Sequence, residues 1–301
     1  MSLPEQGARA IMADSIVHRR TRLGAYETRV WAILMIGFAF WANIVRTSNA
    51  DGAMALAGIA NAILDNGAFD VFAWALVLAR FVAGRDDRPA TPRAVLGTFA
   101  LGVIVLIPAR LPCALALAIL GGALLTERDV PESVRRTSLI LFALAFEIVW
   151  MSPFLAPLHV LVASVDARIT SALLGTIGDM AASHGNVVEN SATDFSIVIW
   201  NYCSSSFPLA GVGLAFVVLV TYRGKALRIA HLPWLAASFV ASAVLTEIRL
   251  VLLGTDEANY HWWHSGPGVS IYALAALGLS VLFPVLATSP AADAGPAARP
   301  A

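Results

Sequence analysis

Charge is what this sequence has least of. Only 13% of its 301 residues are Asp, Glu, Lys or Arg, about half the share found in an ordinary soluble domain. With a mean hydropathy of +0.74, a soluble enzyme is all but excluded. Net charge is absent too: twenty Lys and Arg balance twenty Asp and Glu. There is no basic field to collect nucleic acid and no acidic tail to keep the chain disordered. Cysteine is scarce, with only Cys113 and Cys203. That is too few for a disulfide framework or a four-thiolate metal site, and leaves one bridge or one reactive thiol. No internal repeat at a period of about 20 to 50 residues is visible.

Apolar length is what the chain does have. A helix needs about 20 mostly apolar residues to cross the hydrocarbon, because every backbone polar group must be satisfied within the segment. Eight runs approach that requirement, at 30–44, 66–84, 94–109, 112–126, 138–155, 205–222, 229–253 and 266–288. The expected fold is an all-α polytopic membrane protein with those eight transmembrane helices. Basic residues in short loops mark the cytoplasmic side. With both termini inside, sixteen of the twenty Lys and Arg fall on the inner side, leaving Arg46, Arg110, Arg168 and Arg249 outside or at outer helix ends. Dropping one helix would reverse every later loop, so the asymmetry supports the count independently of hydropathy.

On this reading residues 1–29 are a cytoplasmic N-terminal segment and 30–157 a five-helix membrane region. Residues 158–288 hold an external segment and the last three spans, and 289–301, built from Pro, Ala and Gly, form a disordered tail. Ser48-Asn49-Ala50 resembles a signal-peptidase site, but 29 polar residues precede the first apolar run, longer than an ordinary n-region. A retained anchor is favoured.

Between Pro157 and Cys203 the chain stays outside for over forty residues. Ile169, Leu173, Ile177 and Met180 recur at helical spacing, with Asp166, Arg168, Thr176 and Asp179 between them. The pattern predicts an amphipathic extracytoplasmic helix over 160–180, its apolar side in lipid or against the bundle. A tilted ninth span is the alternative, weakened by two aspartates and an arginine that are costly at mid-bilayer. After a break at Ser183-His184-Gly185-Asn186, the run from Asp194 to Cys203 is rich in β-branched and aromatic residues and predicts a short strand before the sixth span. Alternation places Phe195, Ile197, Ile199, Asn201 and Cys203 on one side of it. Cys203 then sits at the outer mouth of a helix, beside N-terminal amides whose dipole favours a thiolate.

Two further residues reach the same depth. Arg249 is a charge within an apolar run, near the outer end of the seventh span, and Glu247 is too close in sequence to share its helical face. His264 stands immediately before the last span. A thiol, an imidazole and a guanidinium suit acyl transfer. A cation lowers a thiol's pKa, histidine takes and returns protons near neutrality, and arginine stabilises a thiolate or an oxyanion or holds a carboxylate. Other readings stand beside this one. Cys203 alone reads as a small hydrophobe, or as the partner of Cys113 in a disulfide. Arg249 serves equally as a headgroup anchor, and His264 with Trp262 and Trp263 as an interfacial belt. His261 and His264 make a His-x-x-His pair without an obvious third ligand, so no metal or other cofactor is assigned. Glu147 and Glu247 are intramembrane acids, either one a candidate partner of Arg249.

The stretches Asn201-Tyr202-Cys203-Ser204-Ser205-Ser206-Phe207-Pro208-Leu209, Thr246-Glu247-Ile248-Arg249 and His264-Ser265-Gly266-Pro267-Gly268 resemble, in order and spacing, three motifs of the exosortase/archaeosortase family. The family's Glu-Ala-Cys-Ser-Gly-Leu motif corresponds to the stretch around Cys203. Its Asn-x-x-Arg motif corresponds to the stretch ending at Arg249, and its His-x-x-x-Gly motif to His264 and Gly268. Ser205 and Ser206 stand in place of Gly-Leu, and Thr246 in place of Asn. The resemblance covers roughly 158–286; the first five spans match only in being apolar. It implies a multi-pass protease or transpeptidase of the bacterial inner membrane, with Cys203, Arg249 and His264 facing the periplasm. Its substrates would be secreted proteins carrying a C-terminal motif such as Pro-Glu-Pro, then a transmembrane helix, then a basic tail. A secondary transporter with Arg249 and Glu147 along its path, and a non-catalytic subunit for polysaccharide or protein export, are the competing functions. Repeated halves and broken helices, expected of many transporters, are not evident.

Overall fold

The computed structural model describes residues 30–39, 68–83, 92–105, 107, 110–126, 132–178 and 180–289. The N-terminal segment, Ser48-Asn49-Ala50, Asp179 and the tail from 290 lie outside the described residues. The chain forms two compact units, Met1–Leu141 and Phe142–Ala301. In the first, the helices are α1 (Val30–Ala39), α2 (Ala68–Ala83), α3 (Pro92–Val105), α4 (Arg110–Thr126) and the single turn α5 (Glu132–Arg135), before α6 (Thr137–Trp150), within which the boundary falls. Along α4, Cys113, Ala116, Leu117, Leu120 and Leu124 are buried on one stripe, as helical periodicity requires.

The second unit continues with α7 (Ala156–Thr176), three strands β1 (Ala181–His184), β2 (Val187–Asn190) and β3 (Phe195–Val198), and a 3-10 turn Asn201–Cys203. Helices α8 (Phe207–Tyr222), α9 (Leu232–Leu253), α10 (Glu257–His264) and α11 (Pro267–Ala287) complete it. The long helices α7, α8, α9 and α11 each carry proline in their first turn, where the missing N–H was unpaired in any case.

Helices α8, α9 and α11 pack on one another. Arg223, just past α8, donates to Thr288 at the end of α11 (2.9 Å), and Thr246 late in α9 meets Tyr272 early in α11 (3.0 Å). So α9 runs antiparallel to the other two. The α9 face turned inward is Ser238, Ser242, Thr246 and Leu250, while Val240, Val244 and Ile248 point outward. On α11, Gly268, Ser280 and Pro284 are buried and Leu274 and Leu277 exposed. Small and hydroxyl-bearing residues inside with leucine outside is how helices associate in lipid, where close backbone approach and hydrogen bonds of about 0.6 kcal/mol replace the hydrophobic effect. Among the described residues, Ala156–Thr176, Ile229–Leu253 and Pro267–Ala287 are long and apolar enough to cross a membrane, and five further apolar helices are shorter. The architecture is that of a helical membrane protein.

The segment between Pro157 and Cys203 differs from expectation in detail. Helix α7 begins at Ala156 rather than 160 and buries His159, Ala163, Asp166, Ala167, Thr170 and Leu174. The expected apolar stripe is the exposed side: Ile169, Leu173 and Ile177, with Met180 beyond the helix end, all face outward. The bundle takes the small and polar side instead. The Asp166 charge does not count against a span here, whereas Arg168 is exposed. Asp166 is 2% exposed, and its desolvation is offset by two donors, the Ser205 amide at 2.8 Å and the Ser205 hydroxyl at 2.7 Å. Both ends of α7 nevertheless touch the same end of the α8–α9–α11 layer, His159 at Ser206 and Leu174 against Gly254.

The strand predicted over 194–203 is four residues long, and it is the last of three. β1, β2 and β3 form an antiparallel meander with Ala182 opposite Glu189 and Val188 opposite Ile197. What reads as a break at 183–186 is the β1–β2 turn, opened by Gly185 at φ +62°, a left-handed conformation that glycine adopts without penalty. The strand stops early because the amides of Cys203 and Ser204 fold back onto the Trp200 carbonyl (2.8 and 3.1 Å). The alternation holds as far as it runs, with Ile197 and Ile199 buried and Ser196, Val198 and Trp200 exposed. Val188, Ile197 and Ile199 form a core with Ala163, Ala167 and Leu174 of α7 and Leu250 and Leu253 of α9. Buried Asn190 fastens the sheet to the end of α9 by donating to the carbonyls of Gly254 and Thr255 (3.2 and 2.9 Å).

Candidate active site

A cavity of about 140 Å³ opens at that end of the layer. Cys203 and His264 both line it, over a floor that includes Leu250 and Leu253, with β3 residues and Tyr260 as walls. Cys203 ends the 3-10 turn and is half-buried. Neither cysteine is in a disulfide, which removes the Cys113–Cys203 bridge as a reading.

The expectation that a helix N-terminus activates this thiol fails. The Cys203 and Ser204 amides are used by Trp200, the Ser205 amide by Asp166, and the Phe207 amide by the Ser204 carbonyl. The anion at the start of α8 is therefore the Asp166 carboxylate, not the sulfur. Burial pushes the Cys203 thiol above its ordinary pKa; the Arg249 charge and a backbone hydrogen bond from Trp200 pull the other way without cancelling it. The resting group is a thiol, and its proton must leave when it reacts.

Arg249 meets neither glutamate proposed for it. Its Nε and Nη2 donate to the Trp263 carbonyl (3.4 and 3.3 Å), and the guanidinium lies over the Tyr272 ring, 4.6 Å from its centre. One cation thus pulls the thiol's pKa down and holds the residue preceding His264, although Arg249 is not among the residues that line the cavity. Glu247 points to the other side of α9, where it accepts from Thr170 (3.3 Å) and faces Asp166. Glu147 lies beside Gly211 of α8.

His264 is in the last turn of α10, its ring stacked on Tyr260 (4.8 Å between centres, 17° between planes). Asp256 starts this helix properly, its carboxylate accepting from the Asn259 amide at 2.8 Å. Immediately after it the chain reverses into α11 so tightly that a Cβ on Gly268 would lie 2.5 Å from the Trp262 ring. That close approach accounts for glycine four residues beyond the histidine. His261 is exposed and turned toward Glu257 (3.8 Å). Among the described residues no group of three or more His, Cys, Asp and Glu side chains is placed to hold a metal.

Sequence reasoning missed the support beneath the thiol. His159, buried, bridges the Trp150 carbonyl (2.7 Å) and the Ser206 hydroxyl (3.0 Å), and Ser206 in turn meets Ser204 (2.7 Å). Because Nε2 faces a carbonyl it carries a proton. His159, Ala163, Asp166, Ala167 and Thr170 share one face of α7, a helical pattern of small and polar residues. A search for apolar stripes passes over it.

No family model, curated protein or solved structure matches the chain.

Proposed function

We propose that the protein is a membrane-embedded cysteine transpeptidase or endopeptidase of the exosortase type. One observation carries the reading: a thiol and an imidazole line one cavity, and a guanidinium braces the turn that bears the imidazole. The three motif resemblances point the same way. In this reading eight spans lie in a bacterial inner membrane, both termini are cytoplasmic, and the Cys203 end faces the periplasm. The substrate is a secreted protein whose own C-terminal helix, embedded beside the enzyme, brings the scissile bond to the cavity. Such positioning replaces three-dimensional search.

The chemistry follows from the groups present. Sulfur attacks the scissile carbonyl carbon as His264 takes the thiol proton, because burial disfavours a preformed thiolate. The tetrahedral oxyanion needs a donor, and the amides of residues 203–205 are spent. Arg249 supplies it: Nε and Nη2 are engaged, and Nη1 has no hydrogen-bond partner among the described residues. Collapse expels the amine, which takes the proton from His264 and leaves a thioester on Cys203. Water or a surface acceptor then attacks the thioester, gives its proton to His264 and restores the thiol.

The test is a Cys203→Ala chain that still inserts in the membrane. Secreted proteins with a motif, helix and basic tail at the C-terminus are expected to accumulate there uncleaved. Full processing in those cells would overturn the reading.

A further inference from the structure

We infer that the free edge of β3 is the substrate subsite, where an extended segment of the secreted protein adds as a fourth strand beside the thiol. The inference rests on the peptidase reading above and names how that site holds its peptide.

β3 pairs with β2 on one side only. The Ile199 amide donates to the Asn186 carbonyl at 2.8 Å, which sets the ladder's parity. Residues 195, 197 and 199 exchange bonds with β2. The N–H and C=O of Ser196 and Val198 therefore point to the free edge. The cavity lies along that edge: Val198, Trp200, Tyr202 and Cys203 line it on the strand side, Tyr260 and His264 on the other.

The position of the sulfur decides what belongs there. By the same parity the Trp200 amide points to the free edge, and Trp200 lines the cavity together with Cys203 and His264. The thiol thus shares one cavity with the edge that carries the unpaired groups of Ser196 and Val198. A peptide paired to those groups runs toward the sulfur, with His264 across the cavity. An extended backbone satisfies the edge whatever its side chains, whereas a helix or a sugar would leave those donors and acceptors unmet. Side chains of alternate peptide residues then meet the cavity and the exposed, parallel rings of Trp200 and Tyr202.

Val198→Pro tests this in the full-length protein in its membrane. Proline removes only an N–H that β2 does not use, at a position where an edge strand tolerates it. Precursor cleavage in cells is expected to slow at least tenfold, while alkylation of Cys203 by iodoacetamide stays within twofold of the parent. Parent-like cleavage by Val198→Pro, alongside loss of cleavage in Cys203→Ala, overturns the strand-addition proposal and leaves the peptidase reading intact. Parent-like cleavage in Cys203→Ala overturns the peptidase reading instead. Should Val198→Pro lose its alkylation, the decision passes to a photo-crosslinking residue placed at Val198 or Ser183 in the Cys203→Ala chain. Adducts with the accumulated precursor are expected from 198 and not from 183; equal yields, or none from 198, overturn the proposal.

Discussion

The α9 and α11 faces of the layer and the cap built on its Cys203 end obey different rules. Along α9 and α11, Ser238, Ser242, Thr246, Gly268 and Ser280 lie inside and Val240, Val244, Ile248 and Leu274 outside, while α8 buries Val212, Leu214, Phe216 and Val218. In the cap, Val188, Ile197 and Ile199 lie inside, against Leu250 and Leu253 at the end of α9, and Ser196 and Glu189 outside, as in a soluble domain. One chain thus treats two surroundings as solvent. Cys203, Arg249 and His264 stand where the two regions meet, and there a buried carboxylate, a buried imidazole and a half-buried guanidinium are each met by donors or acceptors from the other region: Asp166 by Ser205, His159 by Ser206, Arg249 by Trp263.

Removing the cation is expected to have the largest effect. Arg249→Gln should lower the processing rate about 100- to 1,000-fold, the loss seen when one oxyanion donor is deleted. It should also slow alkylation of Cys203, because the one nearby charge that lowers the thiol's pKa is gone. In the parent, labelling should rise with pH past the ordinary thiol range, since a raised pKa delays the thiolate; in Arg249→Gln the curve should move to still higher pH. Equal labelling curves would separate Arg249 from the sulfur.

Next in size is a paired truncation across the two regions. Ile199→Ala in the cap, where Ile199 is 1% exposed, should cost about 2 to 5 kcal/mol. Leu274→Ala in the layer, 69% exposed, should stay within about 0.5 kcal/mol in detergent. Thermal unfolding of both variants in one micelle measures the difference, and similar losses would break the contrast. Gly268→Ala should cost about 1 to 3 kcal/mol by forcing the Trp262 ring aside. It should also lower processing, because that ring belongs to the turn bearing His264. Smallest is Asp256→Ala, about 1 kcal/mol through loss of the α10 cap, read as faster amide exchange in α10 with the layer unchanged.

Much of this was legible beforehand, and the rest had identifiable reasons to stay hidden. Apolar runs, prolines and the parity of 195–199 reveal the helices and the last strand, because length and period are local properties. Two strands escaped: Ala181–His184 and Val187–Asn190 are short and mixed in polarity, although Gly185-Asn186 between them is a hairpin turn signal. The outward apolar stripe of α7 was visible, and so was the choice of two destinations for it. Only packing settled which side meets the bundle. Cys203, Arg249 and His264 were named from position along the helices, yet their surroundings were misjudged, since the occupant of an amide or a guanidinium is a residue distant in sequence.

By itself the amino-acid order determined that the chain is apolar and helical, with some helices long enough to cross a membrane, because those follow from composition and from spacing within a single element. Tertiary structure decided that Asp166 rather than the thiol occupies the start of α8. It also turned Arg249 to a backbone carbonyl and a ring instead of a glutamate, and brought the sulfur and His264 to one cavity. Each of these joins residues well apart in sequence, 39 for Asp166 and Ser205 and 14 for Arg249 and Trp263. Such contacts depend on which faces pack together, and local periodicity carries no record of that.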